Sequence, residues 1–268
     1  MAATNPGNGG LPLSLDGLSV AYGERPAVQS LSLSVQPGEI YGLLGSNGAG
    51  KTSTIKAIVG LVRPVAGEIR VFGLDALRDS LSVKARIGYV PETSMLYEAL
   101  TPREFLEFVS SVRRLDGTTA TRRLSSYAEA FRLEPELDEP IATLSNGTRQ
   151  KVLIIAALLH APPLLVLDEP LNSLDPRSVR IMKEVLVRYV GGGGRGVLFS
   201  THTMEVAEQL CHRVGILDRG VLRGEGTLAA LRGRVAAGDA SLEEIFLKLT
   251  EEEGGVRAAV DSIGDPSA

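Results

Sequence analysis

Residues 45 to 52, GSNGAGKT, fit the pattern GxxxxGK[ST], in which small residues let backbone N–H groups close around phosphates. Gly45, Ser46, Asn47, Gly48, Ala49 and Gly50 would form the cradle, Lys51 would reach the β- and γ-phosphates, and the Thr52 hydroxyl would bind Mg²⁺, with Ser53 in the same cofactor-binding stretch. A second reactive group closes the apolar run LLVLDEP. Asp168 would hold Mg²⁺ through water, and Glu169 would orient or deprotonate the water that attacks the γ-phosphate. No Asn is followed by Lys, so the NKxD guanine reader is missing and ATP is the expected nucleotide. A third group, LSNGTRQK at residues 144 to 151, sets small hydrogen-bonding residues before the apolar run Val152 to Leu159. A helix starting there would aim free N–H groups and the positive end of its dipole at an anion. The simpler alternative is a helix capped by Ser145 or Thr148. His202 follows an apolar run and the polar pair Ser200–Thr201, a setting for a ligand, whereas His160 and His212 have none and receive no function.

These groups need rigid elements behind them. IYGLLG (40 to 45), LLVLDE (164 to 169) and VLFSTH (197 to 202) are short, nearly continuous apolar runs, as in parallel strands covered on both faces. LSLDGLSVAYG and LSLSVQPGE alternate instead, the pattern of antiparallel strands with one wet face. TPREFLEFVSSV reads as a helix with Thr101 as N-cap, Pro102 at its first position and Glu104 completing a capping box. Phe105, Leu106, Phe108, Val109 and Val112 should lie on its apolar side. A second amphipathic stretch runs from Thr121 to Leu133, and the helical region, about 95 to 160, reads as an insertion. Gly191 to Gly194 reads as a loop, RVGILDRGVLRGEG as a hairpin turning at Arg219–Gly220, and SLEEIFLKLT as a short helix. One domain over 13–250 is expected, with loose tails at 1–12 and 251–268.

Composition narrows the function classes. The 268 residues are 44% hydrophobic and 22% charged, with net charge -4. That balance carries no basic footprint, so no nucleic-acid partner is expected. The single cysteine, Cys211, excludes an internal disulfide and fits a reducing compartment. The N-terminus lacks the basic and apolar regions of a signal peptide. The most apolar stretch, Val152 to Leu167, is interrupted by His160 and Pro162–Pro163, so membrane spanning would fall to another subunit.

Over Leu13 to Thr250 the order of these motifs resembles the nucleotide-binding subunit of ABC (ATP-binding cassette) transporters. The resemblance implies an α/β fold: a P-loop NTPase core with a parallel sheet, an N-terminal antiparallel β subdomain and an inserted α-helical subdomain. It implies that Tyr22 stacks on adenine, that LSNGTRQ is the signature, that Asp175 belongs to the D-loop and that His202 is the switch histidine at the γ-phosphate. In this family two nucleotide-binding domains pair head to tail. Ser145 and Gly147 of one chain would then reach the γ-phosphate held by the other, which gives the second anion grip its purpose. Two departures stand out: the signature LSGGQ reads LSNGT here, and Glu92 occupies the position after GYVP that usually carries Gln. A carboxylate at 92 can make the same metal and water contacts. The stretches PGEIYGLLG, YVPETSMLYEALTPREFLEF, STHTMEVAEQLCHRV and SLEEIFLKLT most resemble the bacterial exporter branch and, within it, the Ecs type. The implied partners are a transmembrane permease subunit and a second nucleotide-binding subunit, on the cytoplasmic face of the cell membrane. Soluble members acting on DNA or ribosomes usually carry a coiled coil or two cassettes, neither of which is here. A binding-only regulatory module would not need Glu169 and His202.

Overall fold

The computed structural model describes residues 10–235 and 240–250. The expected tails before residue 10 and after Thr250 lie outside the described residues. Leu11 and Pro12, assigned to the first tail, are instead tied in: the Leu11 carbonyl accepts from Phe72 N at 2.9 Å, and Pro12 is buried.

The chain runs β1 (Leu13–Tyr22), β2 (Arg25–Val35), β3 (Glu39–Leu44), α1 (Lys51–Ile58), β4 (Ala66–Val71), β5 (Leu74–Asp75), α2 (Ser80–Arg86) and β6 (Ile87–Val90). It continues α3 (Pro102–Val112), α4 (Gly117–Phe131), α5 (Asn146–Leu159), β7 (Leu164–Asp168), α6 (Pro176–Gly191), β8 (Gly196–Thr201) and α7 (Met204–Leu210). It closes with β9 (Arg213–Asp218), β10 (Val221–Gly226), α8 (Leu228–Arg234) and α9 (Leu242–Leu249).

Two sheets result. An antiparallel sheet has the order β2-β1-β4-β5, and β1 turns Leu13, Leu15, Leu18 and Val20 inward, as the alternation requires. Its last two strands come from beyond α1, so the β layer is not built from the N-terminal segment alone. The second sheet has the order β10-β9-β3-β8-β7-β6, parallel except for the antiparallel β9–β10 pair. Every residue of β3, β7 and β8 is buried, which accounts for their unbroken apolar sequences. Strand β6 at the edge was not foreseen; its four residues IGYV are too short to stand out by pattern.

The helical layer beside this sheet consists of α3, α4 and α5. Helix α3 has the expected capping box: Thr101 Oγ1 accepts from Glu104 N at 3.2 Å and Glu104 Oε2 accepts from Thr101 N at 2.9 Å. Its apolar side is not wholly covered. Phe105 and Leu106 are buried, but Phe108 and Val112 are exposed, because the packing of α5 against α3 covers only part of that stripe. Helix α4 starts before Thr121 because Asp116 caps it, accepting from Thr119 N at 2.9 Å. Among the described residues three apolar cores follow from this arrangement. One lies between the helical layer and the sheet, one between the two sheets and α1, and a smaller one under α7, α8 and α9. Among the described residues no helix is long and apolar enough to cross a membrane.

Candidate functional site

Strands β3, β8 and β7 lie side by side, with Leu44 in register with Thr201 and Asp168 in register with Ser200. Their C-terminal ends therefore deliver the phosphate loop, His202 and the acid pair to one edge, where α/β sheets bind ligands. Gly50 caps α1 at φ 110, and a Cβ there would come within 2.5 Å of the Ala27 carbonyl. Only glycine allows the loop to press so closely on β2. The Ala49 carbonyl accepts from Gly220 N at 2.8 Å, so the β9–β10 turn braces the loop from behind. Residues 46–53 line a cavity of about 200 Å³ together with Ala27, Glu92 and Glu169. Lys51, only 6% exposed, donates to the carbonyls of Gly45 at 2.6 Å and Ser46 at 3.2 Å. A buried ammonium at the N-terminus of α1 is an anion site on electrostatic grounds.

Ser200 organises the acid pair. Its hydroxyl donates to Asp168 Oδ1 at 2.6 Å and accepts from Glu169 N at 3.1 Å, and its carbonyl accepts from the same N at 3.3 Å. These bonds hold Glu169 at φ 48, a left-handed conformation that costs a non-glycine residue about 1 kcal/mol or more. The twist aims the carboxylate at the cavity. Glu169 Oε1 lies 3.5 Å from Lys51 Nζ and 2.9 Å from His202 Nδ1.

Asp168 is buried, and burial raises its carboxyl above the usual range, with Glu92 and Glu169 adding to the rise while the hydrogen bond from Ser200 opposes it. Its Oδ2 atom is buried without a hydrogen-bond partner. Nearby, Thr52 Oγ1 donates to Glu92 Oε2 at 3.2 Å. Burial, then the Asp168 and Glu92 charges, push the Tyr89 phenol up to about 12. An orphaned carboxylate oxygen beside a hydroxyl and a second carboxylate is a hard, all-oxygen donor set, which fits Mg²⁺. Among the described residues no group of three or more His, Cys, Asp or Glu forms a metal cage. Mg²⁺ needs none, because it takes one or two protein oxygens and completes its shell with water and phosphate.

The remaining expected residues stand apart. Tyr22 is half exposed at the tip of the β1–β2 hairpin, outside the cavity lining, though Ala27 on β2 belongs to it. Ser145 caps α5, accepting from Thr148 N at 3.2 Å, so the capping alternative holds for Ser145. Neither Ser145 nor Gly147 lines the cavity of its own chain. Asp175 caps α6 through Ser178 N at 2.9 Å and pairs with Lys151 at 3.0 Å; the Ser178 and Lys151 contacts hold its carboxyl far below the usual range. Sequence reading left Ser200 as mere context for His202. A polar pair, Ser200–Thr201, closing an all-buried strand was the available signal. Ala27 offered none.

The sequence profile of the ABC transporter family matches residues 28–172. The chain is 37% identical to the ABC-type transporter ATP-binding protein EcsA of Bacillus subtilis, over 91% of this chain and 98% of that protein. It is also 37% identical to the linearmycin resistance ATP-binding protein LnrL of Bacillus subtilis, over 83% of this chain and 71% of that protein. Its fold is similar to a solved ATP-binding subunit of an ABC transporter, with TM-score 0.85 and 36% identity over 90% of this chain and 100% of that one. A dimeric post-hydrolysis structure of the ATP-binding cassette MJ0796 with ADP and Pi shares the fold at TM-score 0.72 and 24% identity, over 81% of this chain and 98% of that one. With a buried phosphate-loop lysine, an acid pair beside it and these likenesses together, the chain belongs to the ABC transporter family as one of its ATP-binding subunits, an ATPase.

Proposed function

We propose that this chain hydrolyses ATP in a head-to-tail pair with a second copy or a related chain, and so drives export through a separate transmembrane permease on the cytoplasmic face of the membrane. The observation that carries the reading is Glu169. Its backbone is held by Ser200 and its carboxylate by His202, beside Lys51 on the wall of the cavity. In that position it takes the proton of a water whose oxygen attacks the γ-phosphorus. The bond to the β–γ bridging oxygen breaks, giving ADP and inorganic phosphate. Lys51, 3.5 Å from Glu169 Oε1, binds the β- and γ-phosphates. His202 holds the carboxylate's orientation through Nδ1. Bound Mg²⁺, held by Thr52, Asp168 and Glu92, would neutralise charge on the β- and γ-oxygens.

Tyr22 offers an exposed ring for adenine, and Ser145 and Gly147, outside their own chain's cavity, are free to meet a neighbour's nucleotide. The names of EcsA and LnrL as ATP-binding proteins of a transporter and a resistance system support a transport role. The exposed apolar residues Met95 and Tyr97, just beyond Glu92, and Phe108 of α3, whose ring meets that of Tyr97, offer a surface for a short cytoplasmic segment of the permease.

The test is Glu169→Gln. It should keep ATP binding, lower turnover by roughly a hundredfold or more, as for loss of a general base, and trap a dimer detectable by light scattering with Mg-ATP. A variant that hydrolyses normally removes Glu169 from the reaction.

A further inference from the structure

Helix α5 is fastened to the catalytic turn of its own chain by contacts that the hydrolytic reading leaves unused. Gln150, in its second turn, is 3% exposed. Its Nε2 donates to the Pro170 carbonyl at 3.1 Å, one residue past Glu169. Its Oε1 accepts from Ser94 Oγ at 3.4 Å, two residues past Glu92. On one side of it a Cβ on Gly147 would come within 2.5 Å of the Ser173 carbonyl, and on the other Lys151 pairs with Asp175 at 3.0 Å. Thus one helical turn grips the chain after both carboxylates that face the phosphate cavity. A side chain that is buried, bonded at both ends and placed between three segments has two discrete outcomes, kept or lost, and does not bend gradually.

We propose that Gln150 is a positioning residue that ties the signature helix of each chain to that chain's own Glu169 and Glu92. Engagement of Ser145 and Gly147 with the neighbour's nucleotide then sets the geometry of the chain's own hydrolytic site. This inference rests on the head-to-tail reading above. Gln150 touches no phosphate in it and acts only through the Pro170 and Ser94 contacts. The coupling follows because α5 cannot shift toward a bound anion without pulling on both.

The experiment uses the full-length protein with Gln150→Met, which keeps length and helix preference but lacks both hydrogen bonds. In the homodimer, the expected change is a fall in kcat of about ten- to a hundredfold, as for slight misplacement of a reacting group, with KM for ATP and monomer ATP affinity within about twofold. Mixed dimers purified on two tags then locate the effect. One chain carries Glu169→Gln, and a single round of hydrolysis is followed at the other site. Gln150→Met on the chain that keeps Glu169 should slow that site by the same factor. Gln150→Met on the Glu169→Gln chain should leave it like the control dimer. Equal slowing in both arrangements, or slowing only in the second, overturns the proposal, because Gln150 would then act through the neighbour's nucleotide. Ser94→Ala, which removes one contact without touching α5, should follow the same pattern more weakly and decides the matter if Gln150→Met does not fold. Failure of the control chains to form a mixed dimer counts against the head-to-tail reading instead; unchanged kcat in the Gln150→Met homodimer overturns the present inference in any case.

Discussion

At the residue scale, the close approach of Gly147 to the Ser173 carbonyl decides how the second anion grip has to be tested. Gly147→Asp would add charge, but any side chain there first pushes on the 170–175 segment of its own chain. Ser145→Asp is the cleaner change. Asp is as good an N-cap as Ser, so α5 should keep its start, while the carboxylate would face the neighbour's γ-phosphate. Calorimetry should find monomer ATP affinity unchanged within about twofold, and light scattering should find the Mg-ATP dimer weakened by about tenfold or more, the worth of a single unfavourable charge contact. Equal loss of monomer binding would put Ser145 in its own chain's site. The phosphate loop and acid pair were legible because each is a run of neighbours whose chemistry is local. The grip on Gln150 was not, since Pro170 and Ser94 lie 20 and 56 residues away along the chain. Nor was the left-handed backbone of Glu169, which depends on Ser200 in an adjacent strand.

At the element scale, His160 ends α5 with a consequence for acid stability. Its Nε2 lies 3.1 Å from the Ile87 carbonyl while its Nδ1 is buried without a partner. Burial, with Arg113 and then Arg123 nearby, lowers its pKa from 6.5 to about 4. The folded chain therefore prefers the neutral ring. Stability is full above about pH 6.5, falls as the unfolded state takes up its proton, and is lost in full once the pH passes about 4, a total of up to about 3 kcal/mol. His160→Gln should flatten urea-unfolding free energy between pH 6.5 and 4.5 relative to wild type; an unchanged slope would mean that other groups carry the acid sensitivity. Helix α3 was legible to the residue because Thr101, Pro102 and Glu104 form a local cap. Strands β4, β5 and β6 were not, because two to six residues acquire strand identity only from partners such as β1 and β7. The exposure of Phe108 and Val112 escaped for a related reason: periodicity names a face and says nothing of what covers it.

At the scale of the whole molecule, the uncovered aromatic surface and the hydrolytic cavity are joined by the loop from Glu92 to Tyr97, whose ring meets Phe108 edge-on at 5.9 Å. If the permease seats there, Met95→Ser with Tyr97→Ser should leave basal ATP hydrolysis within about twofold, since neither side chain lines the cavity, yet remove a membrane-spanning subunit from the protein purified out of membranes. Retention of that subunit would move the docking surface elsewhere. The division of the apolar interior into three cores bears on the molecule in another way. The smallest, under α7, α8 and α9, meets the main sheet through Leu44, Val214 and Ile216, and Arg232 of α8 pairs with Glu208 of α7 at 3.2 Å. Cooperative units in a protein follow such partitions, and the unit with the least buried surface opens first. Amide hydrogens of α8 and α9 should exchange with deuterium through openings well below the global free energy of unfolding, while those of β3, β7 and β8 wait for the whole fold to melt. Helices α8 and α9 would thus be a latch of low intrinsic strength lying against α7, the helix that begins two residues after His202.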